Sequence, residues 1–337
     1  MPLIGWDAWN GWVAKAKIWY YHGLNEPLIN RFVWLQSESA LTNPIVHYPD
    51  GLSLLYLFQS GFWGWNETQL NAVYPAMLIA FVLGFYGNIK LLTSSSKYAC
   101  LAVIMLVTIP ILNIHMVLAG YADIWISAYL VLCVFNAQFF LNKPNIKLFF
   151  LILIYCICLV MFKLESWVWL IIFISAFFLA LLSVKKRIIL YTLFISVCSI
   201  WWIFDGFSIN SPIGELIIKP ELIQIPLLGS YALTFLNTSD ALLEALFYSN
   251  SWGLLWYLIP VVLILPIKIS DKSALVLPSL FLIFTLFFLF VLFFMTYASN
   301  FANDFTSSNR IVLHIVPVYI YFLIQVFNQY ISQKSTK

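Results

Sequence analysis

An all-α, polytopic membrane fold is what this sequence predicts, on three observations. Of its 337 residues, 63% are hydrophobic and only 9% are charged, with a mean hydropathy of +0.93. Long apolar runs recur along the chain with short polar breaks between them. The charges are segregated between alternate breaks. A soluble domain cannot hide this much apolar surface, and only segments that satisfy their own backbone hydrogen bonds cross a bilayer.

About nine spanning helices are expected, at 69–88, 98–118, 124–141, 147–163, 166–184, 188–204, 252–267, 274–297 and 311–329. A crossing takes about 20 apolar residues, so several of these are tight. One set of connections carries 11 of the 17 basic residues, and the positive-inside rule makes that set cytoplasmic. Of the 14 acidic residues, 13 then fall on the opposite side, and Asp271 alone lies with the lysines. Ionisable groups beside a membrane are costly, which makes one-sided carboxylates a functional signal.

The chain reads as one membrane domain over 1–337, with an external first region at 1–68 and a transmembrane bundle at 69–330. Two external stretches read as interfacial helices. In 7–21, Trp9, Val13, Ala16 and Tyr20 share a stripe, with Lys15 and Lys17 elsewhere. The second, 51–63, is apolar but too short to span. Trp6, Trp9, Trp12, Trp19, Trp63 and Trp65 suit an aromatic belt at the membrane surface. The start, Met1 to Asp7, has neither the basic region nor the apolar core of a secretory signal. With 1–68 outside, a first helix upstream of Met1 is the simplest expectation for carrying it there.

Composition excludes some classes. The net charge of +3 is scattered and carries no nucleic-acid footprint, and no Gly-rich nucleotide loop is present. Cys100, Cys133, Cys156, Cys158 and Cys198 lie inside apolar runs and read as small hydrophobes. Metal use is left open, with a divalent cation as one option.

Five constellations carry chemistry-bearing residues at the outer ends of helices. Asp7 sits in Gly5-Trp-Asp-Ala-Trp-Asn10. His47 and Asp50 flank a Tyr-Pro turn. Asp123 ends Gly120-Tyr-Ala-Asp. Lys163 and Glu165 form a Lys-Leu-Glu turn between two spans. Arg310 opens the last span after Asn303-Asp-Phe-Thr-Ser-Ser-Asn, with His314 one turn on. Each has a bland reading: Asp as a helix cap, Lys snorkelling, Glu on a helix dipole. Arg at a helix start is disfavoured by the dipole and asks for an anionic partner. Together they are the inventory of a site: a base, a polar wall and cations for an anionic leaving group.

The order of these motifs, with Gly64-Trp-Asn-Glu67 entering a span, resembles the GT-C superfamily of polytopic glycosyltransferases, in particular bacterial relatives of the protein O-mannosyltransferase and aminoarabinose transferase families. The resemblance runs over most of 5–330. It implies an inverting sugar transferase in a bacterial plasma membrane, with its site on the external face. The donor would be a polyprenyl-phosphate sugar and the acceptor a lipid, glycan or protein. It puts the catalytic base at Asp7, an acidic site residue at Asp123, donor-phosphate cations at Lys163 and Arg310, and substrate contacts at His47, Asp50 and Glu165. Two departures are the missing first helix and His47 where relatives carry Lys. Membrane lipids are expected partners; nucleic acid is not.

Two other classes compete. A transporter or flippase for a lipid or polar solute would place charges and broken helices near the bilayer midplane. A GT-C-like glycan polymerase or ligase would rely on external Arg and His more than Asp.

Overall fold

The computed structural model describes residues 7–24, 28–29, 41–43, 46–117, 120–211, 214–225, 229–305 and 307–335. Gly5, Trp6, Arg31, Pro44, Ile45, Pro212, Ile213, Thr306, Lys337 and the Trp9 side chain lie outside this description.

The chain is mostly helical but not all-α. The stretch 205–251, which the expected spans leave as a connection opposite the lysine-rich ones, holds a four-stranded antiparallel meander: Phe207–Ser211, Gly214–Ile218, Leu222–Ile225 and Gly229–Ala232. Its register pairs Phe207 with Ile218 and Leu222 with Ala232. The sequence signal was there, in β-branched residues alternating with polar ones between turn residues, but an overall apolar composition masks period two. Residues Leu28–Ile29 and Leu41–Thr42 add a two-residue parallel pair.

Among the described residues, four helices are long and apolar enough to cross a membrane: Glu67–Thr93, Asp123–Asn142, Val184–Ile203 and Ser273–Met295. A fifth crossing results if Ser96–Val107 and Pro110–Val117, bent by 63°, count as one. Among the described residues, helix length and composition alone thus support four or five of the nine expected crossings. Ile146–Val160 and Ser166–Leu181 are apolar but shorter. Proline accounts for the other interruptions. In Leu255–Lys268, Pro260 and Pro266 divide the run into 3₁₀, α and 3₁₀ pieces. The last run breaks between Ser308–Leu313 and Val316–Ser335. There Pro317 has no N–H for the Leu313 carbonyl, and the Ser127 hydroxyl donates to that carbonyl instead at 2.6 Å. At the other break the Asn113 amide donates to the Val107 and Ile109 carbonyls, at 3.0 and 3.3 Å.

The core surrounds Asp123–Asn142, most of whose residues are buried. It packs against Ile146–Val160, Ser166–Leu181, Val73–Thr93 and Val316–Ser335. Lipid tails are as apolar as leucine, so fit rather than transfer from water holds such helices together. Aromatic contacts supply much of it: Trp125 stacks on Phe162 at 5.1 Å, and Phe135 meets Tyr321 edge-on at 5.0 Å. At the other extreme, no residue of Val184–Ile203 is buried. That helix is tied to the sheet through Trp201, whose indole N–H donates to the Ile218 carbonyl at 2.7 Å. Cys133 is buried, whereas Cys100 lies exposed on the apolar outer surface.

The first region departs from the expected stripe. Val13 and Ala16 are buried, but so are Lys15, Trp12 and Trp19, while Tyr20 is exposed. The inward face of Val13–His22 is thus Val13, Lys15, Ala16 and Trp19, with Trp12 just before it, and two of the six belt tryptophans belong to the core. Lys15 is buried because its ammonium has partners: the carbonyls of Val46 and Tyr48, at 3.2 and 2.9 Å, and Asp50 at 2.7 Å. Gly51–Trp63 forms as expected, and Asn66 caps the following turn by accepting from the amides of Thr68 and Gln69.

Candidate functional site

Five of the seven residues singled out from sequence converge at one end of the bundle. Asp123 is the first residue of the central helix, Lys163 and Glu165 precede Ser166–Leu181, and Arg310 lies in Ser308–Leu313. Asp7 starts the widened turn Ala8–Trp12. None of the three aspartates makes a side-chain cap, so their bland reading as helix caps fails; Glu165 stands at the start of Ser166–Leu181, where the helix dipole favours an acid, and also makes no side-chain cap.

Asp123 is the hub. Its side chain is wholly buried, and both oxygens are engaged. Oδ1 lies 3.2 Å from Lys163 Nζ and 2.9 Å from His314 Nε2. Oδ2 lies 3.0 Å from Arg310 Nε and 2.9 Å from Arg310 Nη2. His115 Nδ1 stands 3.8 Å from Oδ2, and that nitrogen is buried with no hydrogen bond. The Trp169 indole N–H donates to His314 Nδ1 at 2.9 Å. An indole is only a donor, so Nδ1 is the acceptor and the proton sits on Nε2, donated to Asp123. Trp169 thereby fixes a neutral tautomer of His314.

Arg310 joins the hub to Asp7. Its Nη2 lies 2.6 Å from Asp7 Oδ2, and its guanidinium covers the Tyr121 ring at 4.4 Å. Burial works against the charge on Arg310, but Asp123 and Asp7 outweigh it and raise its pKa above the ordinary value. Lys163 behaves alike: burial lowers its pKa, Asp123 and Glu165 raise it further, and the net shift is upward. Lys163 also pairs with Glu165 Oε1 at 3.3 Å. Asp7 is a quarter exposed, with one oxygen on Arg310. Glu165 Oε2 is buried without a hydrogen-bond partner.

Backbone approach delivers Asp7. Gly120 has φ +113°, and a Cβ there would overlap the Ala8 side chain. Only glycine meets both demands. The Gly120 N–H donates to the Tyr74 hydroxyl at 2.8 Å, and that hydroxyl donates to the Tyr121 carbonyl at 3.1 Å. Gly51 anchors the second short helix in the same way: its N–H donates to the Met161 carbonyl at 2.8 Å, where a Cβ would not fit.

His47 and Asp50 do not join the cluster among the described residues. His47 is exposed with its ring against Tyr48, and Asp50 is taken by Lys15. Their neighbour Tyr48 is the one in the field of the cluster. Burial and then Glu165 raise its phenol pKa, so it stays a neutral hydroxyl. Sequence reasoning also passed over His115, Trp169 and Tyr121. Tyr121 stood inside the Gly-Tyr-Ala-Asp motif, but an aromatic residue in an apolar run carries no local signal of its role.

Beside the cluster lies a cavity of about 320 Å³. Lys163, Glu165 and Arg310 form its polar edge, and Val168, Trp169, Phe288, Leu292 and Phe301 its apolar wall. Among the described residues, no three His, Cys, Asp or Glu side chains form a metal-binding group. No protein-family model, curated protein or solved structure matches the chain.

Proposed function

We propose that the chain is a membrane-embedded transferase that moves a sugar from a polyprenyl-phosphate donor to an acceptor hydroxyl, with inversion at the anomeric carbon. The observation that carries this reading is the cavity edged by Lys163 and Arg310 and walled by hydrocarbon. A ligand suited to it has an anionic head on an apolar tail, which describes a lipid phosphate. Asp7, bonded to the same Arg310 and partly exposed, supplies the base.

The acceptor hydroxyl gives its proton to Asp7 as its oxygen bonds to the anomeric carbon. The bond from that carbon to the phosphate oxygen breaks, and the electron pair leaves with the polyprenyl phosphate. Arg310 and Lys163 stabilise that charge, so the leaving group needs no proton. The donor phosphate competes with Asp7 for Arg310 Nη2, and displacement frees the carboxylate oxygen to accept the acceptor's proton. Asp123 is a positioning residue: with both oxygens committed, it holds the two cations in place. Glu165 Oε2, buried without a donor, suits a sugar hydroxyl.

Transfer from a panel of polyprenyl-phosphate sugars by the purified chain tests this. Asp7→Asn is expected to lower turnover by about 10²–10⁴-fold with the fold intact. Normal turnover in that variant removes Asp7 from the chemistry. The 63° bend at Val107–Pro110, with the broken runs at Leu255–Lys268 and Leu313–Val316, favours a transporter, since broken helices build transport sites. Solute uptake into liposomes without donor consumption selects that reading.

A further inference from the structure

A second cavity, of about 290 Å³, lies at the opposite end of the bundle, with Gln138, Asn142, Leu181, Arg187 and Ser273 in its lining. Asp123 opens the central helix and Asn142 closes it, so roughly 30 Å of helix separate this cavity from the charged site. The connections that meet here belong to the lysine-rich set and carry Lys143, Lys147, Lys185, Lys186, Lys268 and Lys272.

Arg187 is the one charged residue of the lining among the described residues. It is half-buried, and its Nε–H donates to the Leu182 carbonyl at 3.0 Å, which fixes the guanidinium. The remaining N–H groups of its fork make no hydrogen bond, and no carboxylate pairs with it, among the described residues. Arg310 shows the contrast, since two carboxylates hold that guanidinium. Asp271, the one acid at this end, accepts from the Ser273 N–H at 2.9 Å instead. Gln138 donates to Asn142 Oδ1 at 3.1 Å, which commits that oxygen and leaves the exposed Asn142 with an NH₂ to offer. Around the open fork the lining thus supplies a donor and no competing charge.

The helix that carries Arg187 sharpens the imbalance. Lys185, Lys186 and Arg187 fall in the first turn of Val184–Ile203, which has no acid there and no side-chain cap. The helix dipole disfavours cations at that end and favours an anion. No residue of this apolar helix is buried, so a bilayer that covers it brings phosphate headgroups to its first turn. Basic pockets between spanning helices are a recurrent form of headgroup recognition. We propose that this cavity binds a phosphate-bearing anion through the Arg187 fork and the Asn142 NH₂, the phosphate coming from an anionic phospholipid or from solution. The proposal does not depend on the transferase reading.

The test is thermal unfolding of the full chain in neutral detergent at constant ionic strength. One arm is titrated with dioleoyl-phosphatidylglycerol, one with inorganic phosphate, and a control arm with dioleoyl-phosphatidylcholine. A saturable rise in Tm with phosphatidylglycerol assigns the site to a lipid headgroup, and one with phosphate alone assigns it to the free anion. Arg187→Gln should raise the apparent Kd about tenfold or more, and Arg187→Lys should not restore it, because the charge returns without the fork. Asn142→Asp keeps the acceptor for Gln138 but sets a carboxylate in the cavity, and should weaken binding at least as much. Lys97 belongs to the same end but does not line the cavity, so Lys97→Gln should change the Kd less than about threefold. The Tm of each variant without ligand checks its fold. No saturable shift in either arm, an equal shift with phosphatidylcholine, or equal weakening by Arg187→Gln and Lys97→Gln overturns the proposal.

Discussion

Replacing Asp123 by asparagine changes one oxygen to an amide and removes one charge. In the protein, Oδ1 accepts from Lys163 and His314, and Oδ2 accepts twice from Arg310. An asparagine keeps one acceptor, so its NH₂ must face either the Lys163–His314 pair or the guanidinium, donor against donor. At least two charge-assisted bonds are lost, and two buried cations keep only Asp7 and Glu165 as counter-ions. Removing one partner from a buried ion pair costs about 3–5 kcal/mol. For a chain of this size each kcal/mol lowers Tm by about 2 °C, so the melt should drop by about 6–10 °C. Thermal unfolding of the detergent-solubilised protein reads this directly. Asp7→Asn is the contrast: Asp7 is a quarter exposed and holds one bond to Arg310, so its loss should cost at most about 1 kcal/mol while lowering transfer by about 10²–10⁴-fold. If Asp123→Asn melts within a degree of wild type, Asp123 is not a buried hub and the division of labour between the two aspartates is wrong.

Gly120→Ala must move Ala8 away and strain a backbone at φ +113°, so it should separate Asp7 from Arg310 and cost about 1–3 kcal/mol, read as lost transfer and a lower melt. Arg310→Lys keeps the charge but cannot hold Asp7 and Asp123 together, so turnover should stay at least about 10²-fold down rather than recover. Lys163 has a raised pKa when folded, through Asp123 and Glu165 acting against burial. Its stabilising contribution is therefore complete below its unfolded pKa of about 10.4 and is lost as pH rises through the folded value. The Tm gap between wild type and Lys163→Met should be constant near neutral pH and shrink only in the alkaline range.

The residues of the site were legible in the sequence because charge is rare in this chain. Against an apolar background, Asp7, Asp123, Lys163, Glu165 and Arg310 stand out individually, and the alternation of apolar runs puts them at one end of the helices. Composition likewise determined that the chain is helical and suited to a membrane. Their division of roles was decided by tertiary contact. Asp50 and Asp7 look alike in sequence, yet Lys15 turns inward to take Asp50, while Gly120 lets Ala8 approach and brings Asp7 to Arg310. Hydropathy also cannot see where a helix breaks. Pro317 interrupts the last apolar run, and the freed Leu313 carbonyl is satisfied by Ser127, 186 residues away in sequence. The sheet at 207–232 escaped for a related reason: the long apolar runs on either side dominate the pattern, the alternation between them is short, and strand pairing is settled only when the chain folds back on itself.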